Sequence, residues 1–227
     1  MAAGGGINGA AIAARLDALA AITESETGLT RTAFTPQHRR ANTMVGNWMT
    51  AAGMEVRTDA IGNVIGRYEG AEPGARAVLL GSHLDTVRDA GRFDGMAGVV
   101  CAVACVDALH RAGERLPHAI EVAGFCDEEG TRFGATMLGS RALAGRFDMA
   151  ALRLPDDHGM PMREAMRLFG LDAARLDEAR RDPAEFLGYL ELHIEQGPVL
   201  EHMGLPVGVV TAISGATRLA VEVVGTA

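Results

Sequence analysis

The chain of 227 residues contains no lysine: all 21 of its basic residues are arginine. That excludes any reaction needing a lysine of this chain, including a Schiff-base enzyme, a P-loop NTPase or a protein kinase. Aromatic residues are scarce at 4%, so Ala, Val, Leu, Ile and Met must fill the core. There is no basic excess either. A formal charge of −8 offers nothing to offset phosphate charge, so no nucleic-acid partner is expected. The three cysteines, Cys101, Cys105 and Cys126, form no CxxC pair and suit a reducing cytoplasm better than a disulfide framework. No stretch reaches 18 apolar residues without a charge, so no membrane span is expected. The opening MAAGGGINGAAIAARLDALAA has no basic segment ahead of an apolar one. It reads as a flexible leader and a helix, not a secretion signal.

What is present is a strong apolar pattern, 48% of the residues. Leu16, Leu19 and Ile22 predict an amphipathic helix from about Ala10 to Thr23. Thr35-Pro36 opens a second, to about Ala52. Short strands follow at Met54–Asp59 and Asn63–Tyr68. The run Ala77–Leu80 leads into Gly-Ser-His-Leu-Asp, Gly95–Leu109 reads as a buried helix, and Ala119–Phe125 as a strand. Gly134–Ala144 reads as helical, residues 146–186 as short surface helices and loops, and Tyr189–Ile194 as a further strand. Strands alternating with helices imply an α/β fold with a partly parallel sheet. After Pro206 the pattern changes to two β-rich runs, Val207–Ile213 and Leu219–Val224, separated by Ser-Gly-Ala-Thr. They read as the start of a different unit, cut short at Ala227.

Four polar segments sit at or just past the carboxyl ends of apolar runs: His83 with Asp85, Asp94, Glu128 with Glu129, and His193 with Glu195. In open α/β sheets, ligands bind outside those ends, so the segments can share one crevice. Imidazole and carboxylate are the usual ligands of catalytic zinc and also suit manganese, cobalt or nickel. Period-two alternation puts His83 and Asp85 on one side of an extended strand, where one can bind a metal and the other orient it. Adjacent Glu128 and Glu129 point apart, so one can ligate while the other moves protons. Taken singly, each has a plainer reading: Asp94 as a helix N-cap, Glu128-Glu129 as solvated surface, a strand-end histidine as structural. Cys101 and Cys105 read as core packing, and Arg180-Arg181 as a solvated helix face. Asp127 reads as the start of a turn. His110, His118, His158 and His202 read as solvated.

Four strings in order, GSHLDTVRDAGRFDGMAGV, GFCDEEGTRFGATMLGSRALAG, ELHIEQGPVLE and VGVVTAISGATRL, resemble the amidase/hydantoinase/carbamoylase family of dinuclear metallohydrolases. The resemblance runs from about Ala10 to the last residue. It implies an α/β, zinc-exopeptidase-like catalytic domain with a mixed, partly parallel sheet over residues 1–207. A lid and dimerisation domain would begin in residues 208–227. It implies His83 and His193 on one metal, Asp94 bridging two and Glu129 on the second. Glu128 would be the general acid/base, Asp85 would orient His83, and Gln196 would contact substrate. The implied cofactors are two divalent ions, zinc or manganese, with cobalt or nickel also suited. The implied reaction is C–N hydrolysis of a small anionic ureido or carbamoyl substrate. Allantoate comes first, with N-carbamoyl-L-amino acids or β-ureidopropionate as alternatives. The family's homodimer is expected of the full-length protein. Members continue through a substrate-binding arginine and a late metal-binding histidine that this sequence does not reach. The alternative from another class is therefore an inactive truncated fragment that only binds metal or a partner.

Overall fold

The computed structural model describes residues 6–213, 215, 219 and 221–225. The chain divides into two units, Met1–Ile194 and Glu195–Ala227.

In the first unit the predicted helices form where their caps are. Helix α1 (Gly9–Ala20) is capped by Asn8, whose side chain accepts from the Ala10 and Ala11 amides. Helix α2 (Pro36–Ala51) is capped by Thr35, with Pro36 pre-set at the first position. Strands β1 (Glu55–Thr58) and β2 (Val64–Tyr68) form an antiparallel hairpin. Strand β3 (Ala77–His83) runs three residues past the apolar run and ends on His83 itself. Helix α3 (Met96–Ala112) follows, then β4 (Ala119–Phe125), α4 (Leu138–Leu143), α5 (Met162–Leu168) and β5 (Phe186–Leu190). Three short 3₁₀ turns accompany α5 in the stretch between α4 and β5. The sheet order is β1-β2-β4-β3-β5, with β3 parallel to both β4 and β5. The three parallel strands therefore present their carboxyl ends on one side.

Helices α1, α2 and α3 bury Leu16, Leu19, Val45, Met49, Val99 and Val103 against Val64 and Val122 of the sheet. Burying each such side chain contributes about 1.5–3 kcal/mol. The other face holds Ile65, Leu79, Ala123 and Phe125. It also holds a buried charge. Glu121 of β4 is 1% exposed and pairs with Arg67 at 3.1 Å and Arg57 at 3.4 Å. Arg181 reaches it at 3.0 and 3.1 Å, so this arginine is no solvated helix face, as expected above, but the counter-ion of a glutamate sixty residues away.

Three other expectations are corrected. Strand β5 ends at Leu190, so His193 lies three residues beyond the sheet. Leu192 and Ile194 continue the apolar alternation but are 48% and 36% exposed, and no ladder carries them. Cys105 is exposed and Cys101 half-buried, because both fall on the outer side of α3. Helix α4 spans six residues, since residues 134–137 are spent on the turn that precedes it.

The second unit holds the short helix α6 (Val199–Met203), its Leu200 amide donating to Glu195 Oε2 at 2.9 Å. Val207–Ile213 forms no strand: Val209 and Ile213 are about nine-tenths exposed, and the described residues supply no partner ladder. The described part of Leu219–Val224 likewise forms none. Ser214, Ala216 and Thr217 of the expected turn lie outside the described residues. Among the described residues, no helix is long and apolar enough to cross a membrane.

Candidate metal centre

The ends of β3 and β4 build the site from main-chain geometry. His83 is the last residue of β3 and is 2% exposed. Its Nδ1 lies 2.9 Å from the Asp85 carbonyl oxygen and 3.9 Å from Asp85 Oδ1. A carbonyl only accepts, so in the neutral ring Nδ1 carries the proton and Nε2 presents its lone pair. Asp85 was expected to orient His83, and its backbone oxygen lies nearer the ring than its carboxylate does. The carboxylate has a different task. Asp85 Oδ1 accepts from the Glu128 amide and Oδ2 from the Glu129 amide, each at 3.1 Å. One buried residue thus anchors the imidazole of β3 and the acid pair of β4.

The acid pair is held from below as well. After β4 the chain turns through Asp127, whose φ of +53° is rare for a non-glycine residue. Three successive amides, those of Met137, Leu138 and Gly139, donate to the carbonyls of Glu128, Asp127 and Cys126 at 2.8–3.0 Å. Buried Asn63 accepts from the Cys126 amide at 2.9 Å and donates to the Gly139 carbonyl at 3.1 Å. Arg31, fully buried, donates from Nε to the Leu84 carbonyl at 2.8 Å, between His83 and Asp85. Burial pulls its guanidinium down to about 10, against the pull of Asp85.

Asp94 comes in from the loop before α3. The N-cap of α3 is Gly95 with no side-chain cap, so the helix-capping reading of Asp94 does not hold. Gly95 has φ +68°, and a Cβ there would collide with the His83 ring, so only glycine lets the helix start against the imidazole. His83 Nε2 lies 3.8 Å from Asp94 Oδ1 and 3.9 Å from Glu128 Oε2. His193 Nε2 lies 3.2 Å from the same Asp94 oxygen, and its ring stacks on that of His83 with centroids 5.7 Å apart. Ligand atoms of His83, Asp94 and His193 all fall within 4.8 Å of one another, as do those of His83, Glu128 and Glu129. Gln196 belongs to the second unit, with its backbone at φ +58°.

Burial raises the carboxyls of Glu128 and Glu129 above their ordinary range, against the pull of His83 and with the push of neighbouring acids. Burial raises Asp85 as well. His83 is raised too: burial works against its charge, but Asp85, Glu128 and Glu129 outweigh it. Among the described residues no arginine lies within ion-pair distance of Glu128 or Glu129. Two imidazoles and three carboxylates converge with too little positive charge among them. That donor set fits a divalent cation such as zinc or manganese.

Two acids beside the site were given no role there by the sequence reading. Asp127 is a fully buried acid, and burial, with the push of Asp85, raises its carboxyl well above the ordinary range. Glu191 takes hydrogen bonds from Ser82 and Tyr189 at 2.7 Å each. Its place two residues before His193 was the available signal.

Residues 79–225 match the family described as Peptidase family M20/M25/M40. The N-carbamoyl-L-amino acid amidohydrolase of Geobacillus stearothermophilus is 50% identical over 188 residues, covering 83% of this chain and 46% of that protein. Allantoate deiminase of Arabidopsis thaliana is 43% identical over 217 residues, covering 93% of this chain and 41% of that protein. The crystal structure of a hydantoinase/carbamoylase family amidase from Burkholderia ambifaria superposes with a TM-score of 0.79 at 37% identity, over 87% of this chain and 48% of that one. The chain spans about half the length of the relatives it matches.

Proposed function

This chain belongs to Peptidase family M20/M25/M40, and from that premise we propose that the whole protein is an amidohydrolase that cleaves a C–N bond of a small anionic ureido or carbamoyl compound. The observation that carries this reading is the convergence of His83, Asp94, His193, Glu128 and Glu129 at the carboxyl ends of parallel strands, with no arginine paired to Glu128 or Glu129 among the described residues. His83 and His193 would hold one divalent ion, Asp94 would bridge to a second, and Glu129 would hold that second ion. When bound, the ions supply Lewis acidity, lowering the pKa of a water to about 7.

The remaining steps fall to the chain's own groups. Glu128 Oε2 accepts the proton of the attacking water and returns it to the leaving nitrogen. Asp85 holds the His83 tautomer and fixes both acid-pair amides, so Glu128 and Glu129 keep their separate directions. Gln196 contacts the substrate. Residues 1–207 form the catalytic domain and 208–227 belong to a lid through which the protein dimerises. A cytoplasmic location is part of the same proposal, supported by three free cysteines, which suit a reducing compartment.

Allantoate is the first substrate, because the DEEGTRFG and MLGSRALAG strings resemble that branch. N-carbamoyl-L-amino acids are the second reading, favoured by the relative named for that reaction. An activity panel on the intact protein, with Mn²⁺ or Zn²⁺ supplied, separates them. Ammonia release from allantoate is expected; turnover of N-carbamoyl amino acids alone establishes the second reading, and turnover of neither overturns both.

A further inference from the structure

The segment that brings His193 to the site leaves the sheet early. Strand β5 pairs with β3 as far as Leu80↔Leu190, and there the ladder ends. Side chains take over at the next residue. The Ser82 hydroxyl donates to Glu191 Oε1 and the Tyr189 hydroxyl to Glu191 Oε2, both at 2.7 Å. Ser82 is buried and immediately precedes His83. On the helix side, Gly98 of α3 lies against the Leu192 carbonyl. A Cβ at position 98 would run into that oxygen and would stand 2.8 Å from the Ser82 Cβ. Residues 191 and 192 are therefore seated between β3 and α3. Glu191 is itself exposed, so burial does not hold it there; two short hydrogen bonds to a charged carboxylate do. Beyond it, His193 Nδ1 makes a local contact, 3.0 Å to the Ile194 carbonyl.

We propose that Glu191 is a positioning residue. By bridging Ser82 and Tyr189 it fixes the chain between the end of β5 and His193, and so sets that imidazole beside Asp94 and His83. Because Ser82 neighbours His83, the same carboxylate ties together the two segments that carry the stacked imidazoles. The consequence for metal binding rests on the reading of His193 as a ligand. The positional claim does not.

The test uses the intact protein in two states. In the metal-free protein, long-range ¹H–¹⁵N spectra report each histidine ring, with His193 assigned by its loss in His193→Ala. Glu191→Gln should shift and broaden the His193 signals while leaving those of His38 and His158 in place. Tyr189→Phe, which removes one of the two donors, should do so less. Mn²⁺ titration then reads the consequence. Glu191→Gln should weaken binding by about 10–100-fold, as loss of a ligand-orienting partner does. In the His193→Ala background the same change should add less than about twofold, since it acts through that residue. Unmoved His193 signals in Glu191→Gln overturn the proposal. So does an equal loss of Mn²⁺ affinity in both backgrounds. If His193→Ala leaves Mn²⁺ binding at the parent level, the ligand reading of His193 fails, and the ring spectra alone decide the positional claim.

Discussion

Strand β4 carries acid at both ends, and the two ends treat it differently. Glu121, near the amino end, is buried and paired with Arg57, Arg67 and Arg181. Burial pushes its carboxyl up, but Arg181 and the other two arginines overrule burial and hold it below the ordinary range. Glu128 and Glu129, just past the carboxyl end, meet no arginine among the described residues, and burial leaves both raised. Three arginines meet the one glutamate, and among the described residues none meets this pair. A buried charge without a partner is costly, so a folded protein compensates it or leaves it for a ligand. The amino end is complete in itself. The carboxyl end, with two imidazoles and Asp94 added, is arranged for a cation from outside.

That comparison can be broken at either end. The largest effect is expected at the carboxyl end. Glu128→Gln should lower turnover by about 10²–10⁴-fold, the range for a general acid/base. Elemental analysis of the same variant should find metal content near that of the parent; loss of metal would move Glu128 into the ligand set. At the amino end, Arg181→Ala should cost up to about 3 kcal/mol in urea unfolding. That is the low end for breaking a buried ion pair, because Arg57 and Arg67 remain. The cost should be the same with and without divalent ions, and a metal-dependent cost would mean that the two ends are not independent. A divalent ion at 100 times its Kd should stabilise the parent by about 2.7 kcal/mol for each site it fills, and His83→Ala by less. Equal stabilisation of both would place the ion elsewhere.

The smallest effect concerns acid. Glu121 has a folded pKa below its ordinary value of 4.5, so its contribution to stability is full above that pH. It is lost as pH falls from about 4.5 through the lower folded value. Glu121→Gln should therefore flatten the loss of stability in that window. An unchanged pH profile would show that the arginines do not depress this carboxyl.

The sheet and the carboxyl-end cluster were readable because they rest on local signals. Apolar runs ended in His83 and in Glu128, and strand ends are where α/β sheets place their sites. What was misread depended on partners distant in sequence. Arg181 looks like half of a surface pair until Glu121 is found against it. Tyr189–Ile194 read as one strand, but pairing with β3 stops at Leu190 and a carboxylate bridge replaces the ladder. Asp85 lies beside His83 as period two predicts, but its carbonyl is the nearer atom, and side-chain alternation says nothing of a carbonyl. Gly95 gave no sign that the His83 ring would occupy the space of its missing side chain.

The central claim is that the acids past the end of β4 are compensated by bound divalent cations. Elemental analysis of the intact protein after exhaustive dialysis tests it most directly, comparing the parent with His193→Ala and Asp94→Ala. The account predicts two divalent ions retained per parent chain, fewer in His193→Ala, and fewest in Asp94→Ala, which removes the bridging carboxylate. A parent that retains none, or variants that retain the parent's amount, would contradict it.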